Sequence, residues 1–309
     1  MEVVILLTKQ IIIMFLYMLV GFVLFKGKKI SKEGSASMGT VLVWLVVPTV
    51  VVKSFCVEPT PERITGLLLG IAAAVVALCI SMVMARLLFK KRPIDNFGAA
   101  FSNAGFIGIP LVRATVGDEA VFYIAFFVAA LNTLQWAYGV AVITEKKMTV
   151  SKKTLMHPLV LSIALGLLLF FTGWGVRLPE VICGTLSGIS ALNAPLAMLI
   201  MGVYLAQADM KSLWTDKHLY RLSAVRLVLI PVVTLLVLWG AQLLIPALDT
   251  TIVLALLVTA IAPVGANVAV YAQLHNKDYV YASKAVVLST LLSLISMPLI
   301  ILLAQLLLT

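Results

Sequence analysis

The sequence predicts an all-α membrane protein whose ten transmembrane helices form two inverted five-helix repeats. Three observations lead to this fold class. The 309 residues are 62% hydrophobic and only 12% charged, with a mean hydropathy of +1.12, whereas a soluble domain carries about 25% charged residues. The apolar residues gather in runs of about 20, the length that crosses a bilayer core of ~30 Å. The basic residues fall mostly in alternate loops between those runs.

Ten apolar runs are interpreted as membrane spans. They cover residues 9–26, 36–56, 63–89, 95–116, 119–143, 155–173, 179–207, 219–245, 250–274 and 279–308. The first run is interpreted as a retained span rather than a secretory signal, because its basic cluster follows the apolar stretch instead of preceding it. The loops are short, and no soluble domain is predicted between the spans.

The formal net charge of +10 is interpreted as a topology signal and not as a nucleic-acid-binding surface. Loops after odd-numbered spans are assigned 18 of the 23 Lys and Arg residues, including Lys152, Lys153 and Arg226. Cytoplasmic loops of membrane proteins collect Lys and Arg. Both termini are therefore expected outside a plasma membrane, the inner membrane of a bacterium, with the lipid bilayer as the surrounding partner.

The connection near Thr144–Thr154 divides the chain into residues 1–146 and residues 147–309, with five spans in each half. Because five is odd, the second half enters the membrane in the opposite sense to the first. Pro48 in span 2 has a counterpart in Pro195 of span 7. Such halves are typical of transporters built from inverted repeats.

Spans 4 and 9 are each interrupted by helix-breaking residues at corresponding places. The segments are Asn103–Pro110, with Gly105 and Gly108, and Ala262–Asn267, with Pro263 and Gly265. Irregular backbone is tolerated at membrane depth only where protein or a watery cavity receives its polar groups. Paired interruptions in two halves of a membrane chain indicate a transporter's binding site.

The chemistry of these breaks favours an anionic ligand. Pro110 is expected in the first turn of a restarted half-helix, where its missing N–H is no loss. The N-terminus of such a half-helix carries unpaired N–H groups and a partial positive charge, which suits a carboxylate. Asn103 and Asn267 are expected to complete the site with their amides. The alternative is a pair of kinked helices packed through small residues.

Four further polar residues are candidates for the substrate path. Asn132 and Gln135 lie three apart in span 5 and so share a helix face; a hydrogen bond between helices is the equal alternative. Lys53 and Arg113 are possible anion-attracting groups, although long basic side chains near span ends usually extend to the interface. The same extension to the cytoplasmic interface is expected of Arg226 and Lys284, while Asn193 is expected at a structural helix interface.

No cofactor or metal site is predicted. The three cysteines and three histidines are scattered along the chain, without the spacing of metal ligands. No Asp or Glu lies deep within a predicted span, and a buried carboxylate is what a proton-coupled carrier often uses. Coupling to protons, to sodium or to no ion stays open.

The segment Ser102–Leu111 resembles the fourth-span signature of the auxin efflux carrier family, and Ala262–Asn267 with Lys284–Thr290 resembles its ninth and tenth spans. This resemblance covers essentially the whole chain. It implies crossed discontinuous helices 4 and 9, a scaffold of spans 1, 2, 6 and 7, and a transport unit of spans 3–5 and 8–10 that moves like an elevator. Plant members export auxin, and bacterial members are linked to malate, malonate and similar carboxylates. A homodimer through the scaffold stays open.

The predicted function is therefore secondary transport of small organic anions. The nearest alternative is a sodium-coupled organic anion symporter of the bile-acid type, which shares the crossed helices; the missing mid-membrane acids count against it. An intramembrane enzyme is disfavoured because the sequence contains no His-Glu-x-x-His or Gly-x-Ser-x-Gly motif. A channel would differ from a carrier in showing neither saturation nor counterflow.

Overall fold

The computed structural model describes residues 2–147, 156–208 and 210–308. Over these residues the chain is helical and contains no β-strand, only one isolated β-bridge. The predicted loop residues Lys152 and Lys153, and the predicted start of span 6 at residue 155, lie outside the described residues. The prediction of an all-helical membrane protein is confirmed.

Thirteen α-helices occur in the described residues when contiguous α- and π-helical turns are counted as one and when Glu180–Ala191 and Asn193–Gln207, separated only by a turn at Leu192, are also counted as one; a short 3-10 helix, Gly175–Arg177, is not numbered. They are α1 (Glu2–Lys26), α2 (Lys32–Ser54), α3 (Pro61–Leu88), α4 (Pro93–Ala100), α5 (Ala104–Thr115), α6 (Ala120–Thr144), α7 (Pro158–Phe171), α8 (Glu180–Gln207), α9 (Met210–Thr215), α10 (Lys217–Leu244), α11 (Thr250–Ala260), α12 (Asn267–Leu274) and α13 (Tyr279–Leu307). Seven of these, α1, α2, α3, α6, α8, α10 and α13, are long and apolar enough to cross a membrane. The first begins at Glu2, earlier than the predicted residue 9.

Three helices, α2, α5 and α10, contain a π-helical turn just before a proline. The pairs are Leu42–Val46 with Pro48, Ala104–Gly108 with Pro110, and Val225–Leu229 with Pro231. Proline lacks the N–H that would bond the carbonyl four residues back, and its ring clashes with that carbonyl. A single wide turn moves the carbonyl aside, so the helix continues with a bend instead of ending.

One group of helices is held together by very close backbone contact between α1 and α8. A Cβ on Gly21 would lie 2.2 Å from the carbonyl oxygen of Leu199, and one on Gly202 would lie 2.0 Å from that of Met18. Only glycine allows such an approach. Helix α2 packs against α7 and α8, so this group holds the predicted spans 1, 2, 6 and 7.

A second group surrounds the interrupted spans. Helix α3 packs against α4, α6 and α11, and α13 packs against α10 and α12. Gly66 and Gly70 of α3 lie against Tyr123 of α6, where a Cβ on Gly66 would meet the tyrosine ring at 2.6 Å. The buried apolar side chains of this group enclose the two interruptions, at residues 101–103 and 261–266.

Candidate binding site at two paired helix breaks

The two interruptions lie directly against each other. Ser102 and Val264 form an antiparallel β-bridge. The N–H of Asn103 donates to the carbonyl of Pro263 at 2.8 Å, and the N–H of Gly265 donates to the carbonyl of Phe101 at 3.0 Å. We call residues 101–103 and 261–266 the paired breaks. Each break thus satisfies backbone groups of the other, which irregular backbone at membrane depth requires.

Neighbouring side chains complete this backbone pairing. The N–H of Val264 donates to Oγ of Ser289 in α13, at 3.1 Å. Gly265 is tightly packed, because a Cβ there would lie 3.1 Å from the carbonyl oxygen of Ser102. Gly108 packs similarly, since its Cβ would lie 3.2 Å from the Cα of Thr259. The two glycines therefore allow the close approach of the interrupted helices.

Arg226 lies at the C-terminal ends of α4 and α11, and only 1% of its surface is exposed. Its Nε donates to the carbonyl of Ala262 at 3.1 Å, its Nη1 to that of Ala99 at 3.0 Å, and its Nη2 to that of Ala260. The expectation that Arg226 extends to the cytoplasmic interface is wrong. Helix C-termini leave carbonyls unpaired and carry partial negative charge, and this arginine satisfies both ends at once.

The N-terminal ends of α5 and α12 begin on the other side of the paired breaks. Asn103 is 4% exposed, and its Nδ2 has no hydrogen-bond partner within the described part of the chain; the same holds for Oγ of Ser102. Gly105 is half-buried, and among the described residues no atom lies within 4 Å of where its Cβ would be. The residues just before α5 thus supply unused hydrogen-bonding groups, and its first turn borders open space.

The restarted helix begins with a π-helical turn, Ala104–Gly108, which was not predicted, and Pro110 lies in the first turn of the α-helical part that follows, Ile109–Thr115. In the π-helical turn the N–H of Ile109 bonds the carbonyl of Ala104, and Pro110 has no N–H to offer. The carbonyl of Gly105 is thereby released from the helix, and Nδ2 of Asn193 in α8 donates to it at 3.3 Å. Pro110 acts indirectly, by freeing a carbonyl for a neighbouring helix.

The two predicted site residues of span 5, Asn132 and Gln135, have different hydrogen-bond partners. Gln135 is 2% exposed and accepts a hydrogen bond at Oε1 from Nδ2 of Asn267, at 2.7 Å. Asn132 instead donates to the carbonyl of Val128 in its own helix, at 2.7 Å. The structure therefore brings Gln135, Asn267 and Gly265 together at the paired breaks, while the amide of Asn132 is used within α6.

Lys53 and Arg113 meet at a separate cavity of about 170 Å³ between α2, α5, α6 and α8. Arg113 donates to Asp118 from Nε at 2.6 Å, and Nζ of Lys53 lies 4.0 Å from the same carboxylate. The hydrogen bond from Arg113 lowers the pKa of Asp118 below its ordinary value. Two cations thus share the carboxylate of Asp118, while the second acid of the cavity wall, Glu119, pairs with Arg63 of α3 at 3.3 Å. Its wall also includes Ser190.

Asp95 forms a buried polar cluster that sequence reasoning missed. It lies near the start of α4, as expected of an acid at a span end, but it is only 1% exposed. Arg92 pairs with its Oδ2, and the hydroxyl of Tyr281 donates to its Oδ1 at 2.6 Å. The cluster ties α4 to α13. No group of three or more His, Cys, Asp and Glu side chains is placed to hold a metal ion in the described ranges.

Comparison with known proteins assigns the family. A family model described as "Membrane transport protein" matches residues 6–153 and 147–301, which include both breaks. The chain belongs to this family. It is the auxin efflux carrier family, so the resemblance based on the Ser102–Leu111 motif is confirmed, and the protein is a multi-pass membrane transport protein.

A relative from Methanothermobacter thermautotrophicus supports the same assignment. This protein, named an uncharacterized transporter, is 23% identical to the chain over 308 residues. The similarity covers 94% of this chain and 96% of the relative. The likeness therefore extends over nearly the full length of both chains and not over one motif.

Proposed function

We propose that this membrane transport protein is a secondary transporter of small organic anions, carboxylates such as malate, malonate or auxin-like acids. In this proposal the ten spans form two inverted repeats, residues 1–146 and 147–309, with both termini outside the inner membrane. Helices α4–α5 and α11–α12 are the crossed spans 4 and 9. The scaffold, spans 1, 2, 6 and 7, stays fixed while spans 3–5 and 8–10 move like an elevator.

The observation that carries the proposal is the buried, unpartnered amide donor of Asn103 at the N-terminal end of α5, as far as the described residues extend. A buried polar group without a partner is rare in a native structure and calls for an explanation such as a missing ligand. A carboxylate accepts hydrogen bonds only, and it is favoured at a helix N-terminus. A bound organic anion would satisfy both requirements.

Arg226 adds an electrostatic reason for an anion. The partial negative charges of the C-terminal ends of α4 and α11 are each offset by its guanidinium. The starts of α5 and α12 carry partial positive charge, and within the described residues no side chain caps either of these N-termini by a hydrogen bond. The electrostatic potential at the paired breaks is then positive, and a positive potential stabilises a negatively charged ligand.

The cavity at Lys53 and Arg113 is a suitable entry path. It lies between α2 and α8 of the proposed scaffold and α5 and α6 of the proposed transport unit. Ser190 in its wall precedes Asn193 by one helical turn, and Asn193 contacts Gly105 at the site. A charged substrate would be attracted by the two cations before it reaches the amides. A path along the boundary between two helix groups suits an elevator mechanism.

Counterflow of radiolabelled malate or malonate in proteoliposomes tests the proposal. Wild-type protein should show saturable uptake that is accelerated by unlabelled carboxylate inside the vesicle. In Asn103→Ala, loss of one hydrogen bond to a charged group, worth about 1.5–3 kcal/mol, should lower kcat/KM roughly 10- to 100-fold. Asn267→Ala should also lower it, because it releases Gln135 beside the site.

Gln207→Ala is the matched control. Gln207 is an exposed carboxamide near the end of α8 that donates to Val203 in its own helix, and the variant should transport like wild type. Wild-type rates in both Asn103→Ala and Asn267→Ala would refute the site. Uptake without saturation or counterflow would refute a carrier.

A further inference from the structure

The guanidinium of Arg226 occupies a place where carbonyl oxygens converge. Ala99 belongs to the last turn of α4, and Ala260 and Ala262 lie at and just beyond the end of α11. Their three carbonyl oxygens all accept hydrogen bonds from this one side chain. Main-chain carbonyls at helix C-termini and in unwound segments are the ligands that transporters use for coupling cations. Here the cation that they surround is part of the chain.

We propose that the two helix ends leading into the paired breaks form a cation site that this chain fills with its own Arg226, so that no free metal cation binds there. The inference rests on the proposed function in one respect: a filled cation site bears on ion coupling only if the protein is a secondary transporter. A guanidinium carries its charge permanently and presents donors in a fixed planar fork. This fork matches three acceptors that come from two different helix ends.

A second cation would be excluded from the same place by charge and by geometry. Two unit charges a few ångströms apart repel strongly where little water screens them. The carbonyls of Ala99, Ala260 and Ala262 are also directed at the guanidinium, so they are not free to replace the hydration shell of a sodium ion. The transporter then needs no sodium at the paired breaks to hold the two helix ends together.

Removal of the arginine should leave an empty site that selects for guanidinium. In Arg226→Ala the three carbonyls lose their buried donor, and we expect the Tm of the purified full-length protein to fall by roughly 10 °C. Guanidinium chloride at about 10 mM, far below denaturing concentrations, should restore roughly half of this loss by binding to the folded state. Choline chloride at the same concentration should restore none of it.

Arg221→Ala is the matched control. Arg221 lies in the same helix, α10, and also donates to a carbonyl at a helix end, that of Leu88, but it is exposed. Its variant should lose only a few degrees of Tm, and guanidinium should not raise that value. Equal rescue of both variants, or a wild-type Tm in Arg226→Ala, would overturn the proposal.

Wild-type protein provides a test that does not depend on the folding of a variant. Its Tm should agree within about 1 °C in sodium, potassium and choline chloride at ~0.15 M, where ionic strength is the same. A saturable rise with sodium alone would mean that a free cation binds, and would sink the inference. This measurement needs no transported substrate. Failure of malate or malonate counterflow would therefore count against the proposed function and not against this inference.

Discussion

The side chain of Asn267 donates a hydrogen bond from Nδ2 to Oε1 of Gln135, 2.7 Å away, and so joins the start of α12 to α6. The same glutamine lies against the backbone of the ninth-span break, because its Nε2 is 3.4 Å from where a Cβ of Gly265 would be. One buried carboxamide thus contacts both the break and the half-helix that follows it. Its orientation is determined by the hydrogen bond from Asn267.

Gln135→Ala should destabilise the protein through this contact. The substitution leaves the amide of Asn267 without its acceptor and removes packing against Gly265, which should lower the free energy of unfolding by about 1–3 kcal/mol. For a chain of this size the Tm should fall by a few degrees per kcal/mol. Gln207→Ala should leave the Tm within about 1 °C of wild type in the same scan. Equal Tm values for the two variants would contradict a bridging role for Gln135.

The glycines at the paired breaks should differ in their tolerance of a methyl group. Gly105→Ala should keep the wild-type Tm, since no atom in the described ranges lies within 4 Å of the new Cβ. Gly265→Ala should lower the free energy of unfolding by about 1–3 kcal/mol, because its Cβ would press on the carbonyl of Ser102. If the open space at Gly105 holds substrate, Gly105→Ala should reduce counterflow while the fold persists. Thermal scans and counterflow on the same preparations separate the two effects.

The cavity cations should attract substrate more strongly once Asp118 is neutralised. Asp118→Asn removes the carboxylate that Arg113 and Lys53 share. We expect KM for a carboxylate to fall about two- to fivefold, the scale of an exposed ion pair. Asp216→Asn is the control. Asp216 caps α10 by accepting a hydrogen bond from the N–H of His218, and its variant should leave KM unchanged. A raised KM in Asp118→Asn would show that the cations do not attract substrate.

The same ion pair should make the cavity insensitive to mild acid. The hydrogen bond from Arg113 lowers the pKa of Asp118 below 3.8. A depressed carboxyl pKa means that the pair stabilises the folded state above pH 3.8 and loses this contribution as the pH falls through the lower, folded-state pKa. KM measured between about pH 5 and pH 7 should therefore show no titration of Asp118. A step in KM that is present in wild type and absent from Asp118→Asn would disprove this.

Tyr281→Phe should weaken the junction between α4 and α13. The substitution removes the hydroxyl that donates to Oδ1 of Asp95, and a buried carboxylate that loses a donor costs about 1–3 kcal/mol. Tyr279→Phe is the matched control, since Tyr279 lies two residues earlier in the same helix and its side chain is exposed. The Tm should fall by several degrees in the first variant and stay unchanged in the second.

Local sequence patterns were sufficient to predict the interruptions and most helix ends. Proline and glycine alter backbone geometry by themselves, so the breaks of spans 4 and 9 could be located without knowledge of their neighbours. Their exact form was not predictable. The restarted helix begins with a π-helical turn, Ala104–Gly108, and the carbonyl that this turn releases is satisfied by Asn193, 88 residues away in the sequence.

The missed residues all depend on distant partners. Arg226 was expected at the cytoplasmic interface because most intramembrane basic side chains near a helix end extend there. Its three acceptors lie 34, 36 and 127 residues away, and no local motif marks them. Asp95 and Tyr281 are separated by 186 residues. A basic residue inside one span and helix breaks in two others, where main-chain carbonyls are left free, are the signals that together point to the contact.

The glycine contact between α1 and α8 limits where a large motion can take place. The two backbones are in direct contact, since a methyl group at Gly21 or Gly202 would overlap a carbonyl of the opposite helix. Two helices packed in this way cannot slide along each other without first moving apart. In the proposed elevator mechanism, any displacement of several ångströms would therefore take place at a different helix interface, with α1 and α8 staying together as one rigid pair.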